Sequence, residues 1–471
     1  MSVADAAIES AHPYPKKCYL PFILYPPTMY RNDEGGAFVD THTNLHAEGD
    51  DFVLYVAVPF CRVRCKACPY FVSLLSQNDT RHDEDRFVDA LVKDIEHWGS
   101  YRRWREGRLR AVYIGGGTGS ILTTANLKRV VDAISANFSL TDDCSFTLEG
   151  NARDFDDQKM DYVAGSRINR ISLGVQSFNA EILKTVGSPH AAEQSEKVIR
   201  AFQARNVRNI QMDLMYNIPG HSMDIWRSDL EKMVELDIPH FTIYLYRIHE
   251  DTPQHSLIRL GKVKPVKDPE SPMVKAMYRT ALKSAEDLGY RMTMVDHFSK
   301  PGYENPYNYW SWKVYTDALA IGPGAYSYFD GYRLGTDKDV EGYIAHANRG
   351  EFMISTVTPR MSARVQRERY VIFTLLYYCV EFAAYRNKFG TAFLEDFSGT
   401  VTRLAEKGLV VLTADRMQLT QLGLEWHTNV LLEFFSPEYW SDADALEQPN
   451  WSMNVPMVQI SASTRAEWLG A

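Results

Sequence analysis

Tyr55-Val-Ala-Val-Pro-Phe-Cys-Arg-Val-Arg-Cys-Lys-Ala-Cys-Pro-Tyr-Phe71 sets three cysteines, Cys61, Cys65 and Cys68, on one loop directly after a short apolar run. The C-x3-C-x2-C spacing lets three thiolates hold three irons of a [4Fe–4S] cluster and leaves the fourth iron without a protein ligand. Clusters that only carry electrons usually have four cysteine ligands. A loop offering three suggests a cluster that does chemistry on a small molecule at its open iron. A zinc site would want a fourth Cys or His at short range, and the nearest, His82, lies beyond a polar stretch. Six cysteines in 471 residues do not make a disulfide framework. Cys18, Cys144 and Cys379 stand alone in sequence and read as small buried hydrophobes.

Outward from the loop the pattern is strand then helix, repeated. Residues 52–58, 112–114, 145–148, 168–175, 210–215 and 241–246 read as short apolar strands. Phe87, Leu91, Ile95 and Trp98 recur at helical spacing, as do Leu127, Val130, Ile134 and Phe138; further helices are expected near 156–164, 192–205 and 222–236. Six such units without Rossmann glycine spacing predict an α/β fold, a partial (β/α)6 TIM-type barrel. In that architecture the chemistry collects at the C-terminal ends of the strands. The expected organisation is an N-terminal extension over 1–50 that packs on something, a core barrel over 51–300 and a connecting aromatic segment over 301–360. A compact α+β, winged-helix-like module over 361–435 and a tail over 436–471 carrying Trp440, Trp451 and Trp468 follow.

Composition is that of an ordinary globular protein: 45% hydrophobic, 24% charged and a formal charge of −9. This gives no electrostatic footprint for nucleic acid or anionic membrane. Residues 101–110 form a local basic patch read as a solvated helix end and loop. No run of about 18 apolar residues and no leader is seen, so the expectation is a cytoplasmic monomer.

Several residues carry chemistry at or just after strand ends. Tyr113-Ile-Gly-Gly-Gly-Thr118 ends a strand in three glycines, which let backbone groups approach a ligand closely. Glu149 closes the third strand, and Gln176 closes the fourth with an amide able to donate and accept. Asp213, in Ile210-Gln-Met-Asp-Leu-Met-Tyr-Asn-Ile-Pro-Gly220, is flanked by apolar residues, where an acid is costly to bury without a partner.

The cysteine loop is the signature of radical S-adenosylmethionine (SAM) enzymes, and the wider sequence resembles their HemN-like branch, named for oxygen-independent coproporphyrinogen III oxidase. The matching elements are Tyr55 to Cys68, Gly115-Gly-Gly-Thr118, Arg170 to Asn179, Met212-Asp-Leu-Met-Tyr216, Ile321-Gly-Pro-Gly-Ala-Tyr-Ser327 and, in the C-terminal module, Leu419-Thr-Gln-Leu-Gly423. The resemblance implies that Cys61, Cys65 and Cys68 ligate a [4Fe–4S] cluster whose open iron chelates SAM and whose electron generates a 5′-deoxyadenosyl radical. It implies two SAM molecules: Tyr55, Gly116 and Glu149 serve the cluster-bound one, and Gly117, Thr118, Gln176 and Asp213 the second. Ala67, Arg247 and Tyr326 fall where the family has SAM contacts, with different side chains.

Departures from the pattern narrow the activity. The porphyrinogen oxidase has a fourth cysteine where this chain has Tyr70, a histidine where it has Ala57, and an arginine in the turn occupied here by Gly187-Ser-Pro-His190. Haem-trafficking relatives such as the haem chaperones carry His-Asn-x-x-Tyr-Trp; the corresponding Asn305-Pro-Tyr-Asn-Tyr-Trp310 lacks the histidine. The resemblance then points to class C radical SAM methyltransferases and cyclopropanases of antibiotic-type pathways, with a small (hetero)aromatic substrate and an electron donor such as flavodoxin or ferredoxin. A haem- or porphyrin-acting protein is the alternative. The aromatics over 303–312 either stack a flat substrate or pack a loop onto the barrel.

Overall fold

The computed structural model describes residues 29–66, 68, 70–75, 80–248 and 252–436, together with 13–15, 17 and 25–27. Six strands build its main sheet, each followed by helix: β1 (Asp51–Val58), β2 (Arg108–Gly116), β3 (Ser139–Gly150), β4 (Arg170–Gln176), β5 (Ile210–Tyr216) and β6 (His240–Leu245). Every neighbouring pair is parallel. Val53, Leu54, Val56 and Val58 of β1 are fully buried, the near-continuous apolar run expected of a parallel strand covered on both faces.

The helices are α1 (Thr80–Gly99), α2 (Thr124–Asn137), α3 (Asp157–Gly165), α4 (Ala180–Val186), α5 (Ala192–Ala204) and α6 (Met223–Glu235). Local sequence starts several of them. The side chains of Thr123, Asp156 and Ser222 accept from the backbone N–H three residues on, at 3.3, 2.8 and 3.3 Å, each satisfying a donor the helix leaves orphaned. α4 ends at Gly187 with φ 69°, a left-handed cap that glycine adopts without strain.

The sheet extends beyond these six strands. β7 (Arg291–Met294) and β8 (His297–Ser299) add antiparallel next to β6, and β9 (Asp317–Ile321) pairs in parallel with β1, Leu319 opposite Leu54. β10 (Tyr326–Phe329), β11 (Tyr332–Gly335) and β12 (Thr356–Val357) continue antiparallel from β9, and Tyr30–Arg31 forms the edge. The basic patch over 101–110 is not a simple solvated stretch. Arg103, only 12% exposed, bridges Asp317 and Asp330 at 2.6 and 3.0 Å, and Arg108 and Arg110 both reach Asp51.

The described residues divide into two compact units, one holding 30–357 and the other the described residues before 30 together with 358–436. In the second unit, strands Cys379–Glu381, Arg416–Leu419 and Val410–Leu412 form a small antiparallel sheet beside helix Phe393–Glu406. Tyr25 donates to Glu368 at 2.8 Å and Tyr14 to Glu433 at 3.3 Å, so part of the N-terminal extension packs within this unit. Cys18 and the tail tryptophans lie outside the described residues. No helix among the described residues is long and apolar enough to cross a membrane.

Candidate functional site

The cysteine loop is folded by its own backbone and by its docking on α4. Phe60–Cys61 pairs in parallel with Ser73–Leu74, Cys68 N–H bonds Cys65 O at 3.1 Å, and Lys66 N–H bonds Val186 O at 2.9 Å. Gly187 allows this approach, since a Cβ there would sit 3.0 Å from the Lys66 side chain. The Cys61 Sγ lies 3.3 Å from the Thr118 hydroxyl. Burial pushes the thiols of Cys61 and Cys65 up to about 12 and about 11, and each is raised further by neighbouring cysteines. Cys68 is raised by burial as well. Three thiols near one another in a half-buried loop are a donor set suited to a cationic metal cluster, since metal binding is what stabilises the thiolate. Among the described residues no three His, Cys, Asp or Glu side chains converge on a single ion.

The glycine turn after β2 lies against this loop. Gly117 N–H bonds Val58 O at 2.8 Å, and a Cβ at Gly117 would stand 2.7 Å from the carbonyl oxygens of Pro59 and Phe60. Gly116, at φ 109°, occupies backbone space that other residues avoid. Its N–H and the Tyr113 hydroxyl both donate to Glu149. Burial, and then the like charge of Asp213, nevertheless raise Glu149 to about 7.

Strand register assembles the far side. Asp213 stands opposite Gly174 on β4 and Thr242 on β6. Its Oδ1 accepts from Thr242 Oγ1 and Gln211 Nε2, each at 2.6 Å, and its Oδ2 from Ser172 Oγ at 3.5 Å. Burial raises its pKa against these bonds. The buried Arg170 donates to Gln211 and lies 3.1 Å from His240, which in turn sits 3.1 Å from His297. Gln176 ends β4 after a bulge, with φ 69°, a strained conformation that clusters at functional sites.

Tyrosines cluster beside Glu149 and Asp213, which both act on Tyr113. Tyr55 stacks with Tyr113 at 5.8 Å, and Tyr307 leans on both at 6.1 and 5.6 Å. All three keep part of their surface open while burial raises their pKa values. Tyr244 and Asp296 belong to the same surroundings, because Asp213 and Asp296 both raise Tyr244 and Asp213 raises Asp296, after burial, to about 7. Arg247 acts electrostatically on Tyr70 and Tyr216. Tyr326 is engaged on β10, its ring 4.3 Å from the Arg333 guanidinium and against Gly335. Ala67 lies outside the described residues.

Cys61, Thr118, Gly116, Gly117, Glu149, Tyr55, Gln176 and Asp213 therefore gather at the strand ends. Tyr113, Tyr244, Tyr307 and Asp296 join them; of these Tyr244 and Asp296 were not singled out in the sequence, Tyr113 stood only as the start of the glycine turn, and Tyr307 lay in the aromatic stretch over 303–312. For Tyr113 and Tyr244 the position at a strand end was the available signal. Buried carboxylates already furnished with hydrogen-bond donors suit an ammonium and ribose hydroxyls, and the grouped thiols suit iron, so the residues present fit a cluster and SAM.

Comparison with known proteins agrees with that donor set. Residues 55–233 match the model of the radical SAM superfamily and residues 379–426 that of the HemN C-terminal domain. The chain is 29% identical to a heme chaperone HemW of Lactococcus lactis, over 81% of this chain and 96% of that one. It is 24% identical to an anaerobilin synthase of Escherichia coli O157:H7, over 80% and 82%. The coproporphyrinogen III oxidase HemN of Escherichia coli superposes with a TM-score of 0.73 at 20% identity, covering 91% of this chain and 98% of that one.

Proposed function

We propose that this chain is a HemN-like radical SAM protein that performs class C one-carbon transfer, a reading supported by its matches to the radical SAM and HemN C-terminal models. It would use two SAM molecules to add a SAM-derived methylene to an sp2 carbon of a flat (hetero)aromatic substrate, giving a methyl group or a cyclopropane. When bound, the cluster and its SAM supply a 5′-deoxyadenosyl radical. An electron donor such as flavodoxin or ferredoxin would reduce the cluster.

The observation that carries the reading is the tyrosine cluster beside Glu149 and Asp213. Tyr55, Tyr113 and Tyr307 offer ring faces to a conjugated substrate. On this reading Tyr55, Gly116 and Glu149 serve the cluster-bound SAM, Glu149 through the ribose hydroxyls, and Gly117, Thr118, Gln176 and Asp213 serve the second. Enclosure matters because a primary radical is quenched by any nearby C–H, so both SAMs and the substrate carbon must be held together away from water.

The test is anaerobic incubation of the reconstituted protein with trideuteromethyl-SAM and dithionite. One methyl deuterium in 5′-deoxyadenosine is the expected result; its absence sinks the reading.

The printed names of the relatives favour a second reading, a haem- or porphyrin-acting protein, either an enzyme or a chaperone that binds haem without turnover. Tyr70, Ala57 and Asn305 stand where haem-acting relatives carry Cys and His. Titration with haem, followed by its absorption spectrum, separates the two: stoichiometric binding with no methyl-derived deuterium supports the second.

A further inference from the structure

Gln176 is not a glycine, yet it holds φ 69° at the last position of β4, where a Cβ is disfavoured. Buried side chains from two other parts of the chain grip the residues on either side of it. Before it, the Val175 carbonyl lies 3.3 Å from His190 Nε2. The other ring nitrogen, Nδ1, is 2.9 Å from Asn151 Nδ2 and 3.1 Å from Ser188 Oγ. An amide N–H can only donate, so Nδ1 accepts and Nε2 carries the proton that Val175 receives. After it, Asp229 of α6 accepts from Phe178 N–H with Oδ1 and from Ser177 Oγ with Oδ2, both at 2.7 Å.

Both grips are dry. His190, Ser177 and Asp229 are 5%, 0% and 1% exposed. His221, the other titratable group beside Asp229, has its Nε2 3.8 Å from Oδ2, beyond hydrogen-bond reach. A buried carboxylate is expensive to keep, and here both of its oxygens are spent on the turn that begins at Gln176.

We propose that Asp229 and His190 are positioning residues that hold Gln176 in its left-handed conformation and thereby aim its carboxamide at the second SAM. The inference rests on the proposed role of Gln176 in that second site.

The experiment counts SAM bound to the reconstituted, oxidised protein by equilibrium dialysis, so no turnover is needed. Wild type should bind two. Gln176→Ala should weaken the second at least tenfold and leave the first unchanged. Asp229→Ala should do the same, and the double variant should be no worse than Gln176→Ala alone, because the contact is already lost. Asp229→Asn should recover binding, since an amide oxygen still accepts from Phe178 N–H and its NH2 donates to Ser177. Where Asp229→Ala fails to fold, His190→Phe serves, with the same loss expected. A folded Asp229→Ala or His190→Phe protein that binds the second SAM like wild type overturns the proposal, as do additive losses in the double variant. If Gln176→Ala itself changes nothing, the role of Gln176 falls and the proposal falls with it.

Discussion

The two halves of the parallel sheet build their parts of the site by different means. Around β1 to β3 the groups are local in sequence: three cysteines within eight residues, and a glycine turn whose backbone lies against the loop. Around β4 to β6 they are assembled by register. Ser172, Asp213 and Thr242 come from three strands yet share one set of hydrogen bonds, and Gln211 stands beside His240. A site made from loops tolerates little change in backbone shape. A site made from interlocked side chains tolerates little change in chemistry. Damage to the first half should therefore abolish cluster and SAM cleavage together, and damage to the second should leave the cluster intact.

The largest effect expected is from the loop. Replacing Cys61, Cys65 and Cys68 with Ala together should take iron from about four per chain to none and eliminate reductive cleavage of SAM, measured as 5′-deoxyadenosine. A triple variant that still cleaves SAM would break the division between the halves at its foundation.

Next is Glu149, where function and stability oppose each other. Burial pushes the Glu149 carboxyl in the folded protein from its ordinary 4.5 up to about 7. Folding then favours the protonated form. That contribution is complete below pH 4.5 and is lost as pH rises through 7. Glu149→Gln has no such loss, so its stability relative to wild type should climb between pH 4.5 and 7 and stay level above. The gain is at most about 3 kcal/mol, read from urea midpoints across pH. SAM cleavage should fall on the order of a hundredfold in the same variant. A flat stability difference across that window would remove the charge argument.

How much of this was legible in the sequence follows from the same contrast. The six strands were legible because β1 to β6 are apolar runs between amphipathic helices, and the cysteine and glycine loops because they are contiguous motifs. β9 was not: Asp317-Ala-Leu-Ala-Ile321 is a five-residue run without an amphipathic helix before it, and its pairing with β1 and β10 makes it a strand. The extension of the sheet through β7, β8 and β10 to β12 escaped because these strands are only two to four residues long. Gln176 and Asp213 could be picked out individually as strand-end polar residues. Their partners Ser172, Gln211 and Thr242 read as unremarkable strand residues until register brings them together. Tyr307 lay inside an aromatic stretch that sequence could assign equally to packing or to substrate.

Asp213→Ala tests the second half directly. It leaves the Gln211 amide and the Thr242 hydroxyl without their acceptor, which should destabilise the protein by about 1–3 kcal/mol. Iron content and cleavage of the first SAM should hold, while affinity for the second SAM falls about tenfold and carbon transfer stops. Equal loss of both activities would mean that the halves do not act separately.

The smallest effect expected belongs to Tyr307, which leans on Tyr55 and Tyr113 of the first half from outside the six strands. Aromatic pairs are worth about 0.5–1.5 kcal/mol beyond their buried area. Tyr307→Leu keeps an apolar side chain of moderate size, so the loss of thermal stability should be about 1 kcal/mol, and Tyr307→Phe should be close to wild type. Neither substitution removes a group assigned to the cluster or to either SAM, so iron content, SAM count and 5′-deoxyadenosine formation should stay unchanged in both. The discriminating readout is the binding of a planar conjugated probe, haem included: if the ring faces form the substrate wall, Leu should weaken it severalfold while Phe retains it. Equal binding by Leu, Phe and wild type would assign Tyr307 to packing alone and leave the substrate face to Tyr55 and Tyr113.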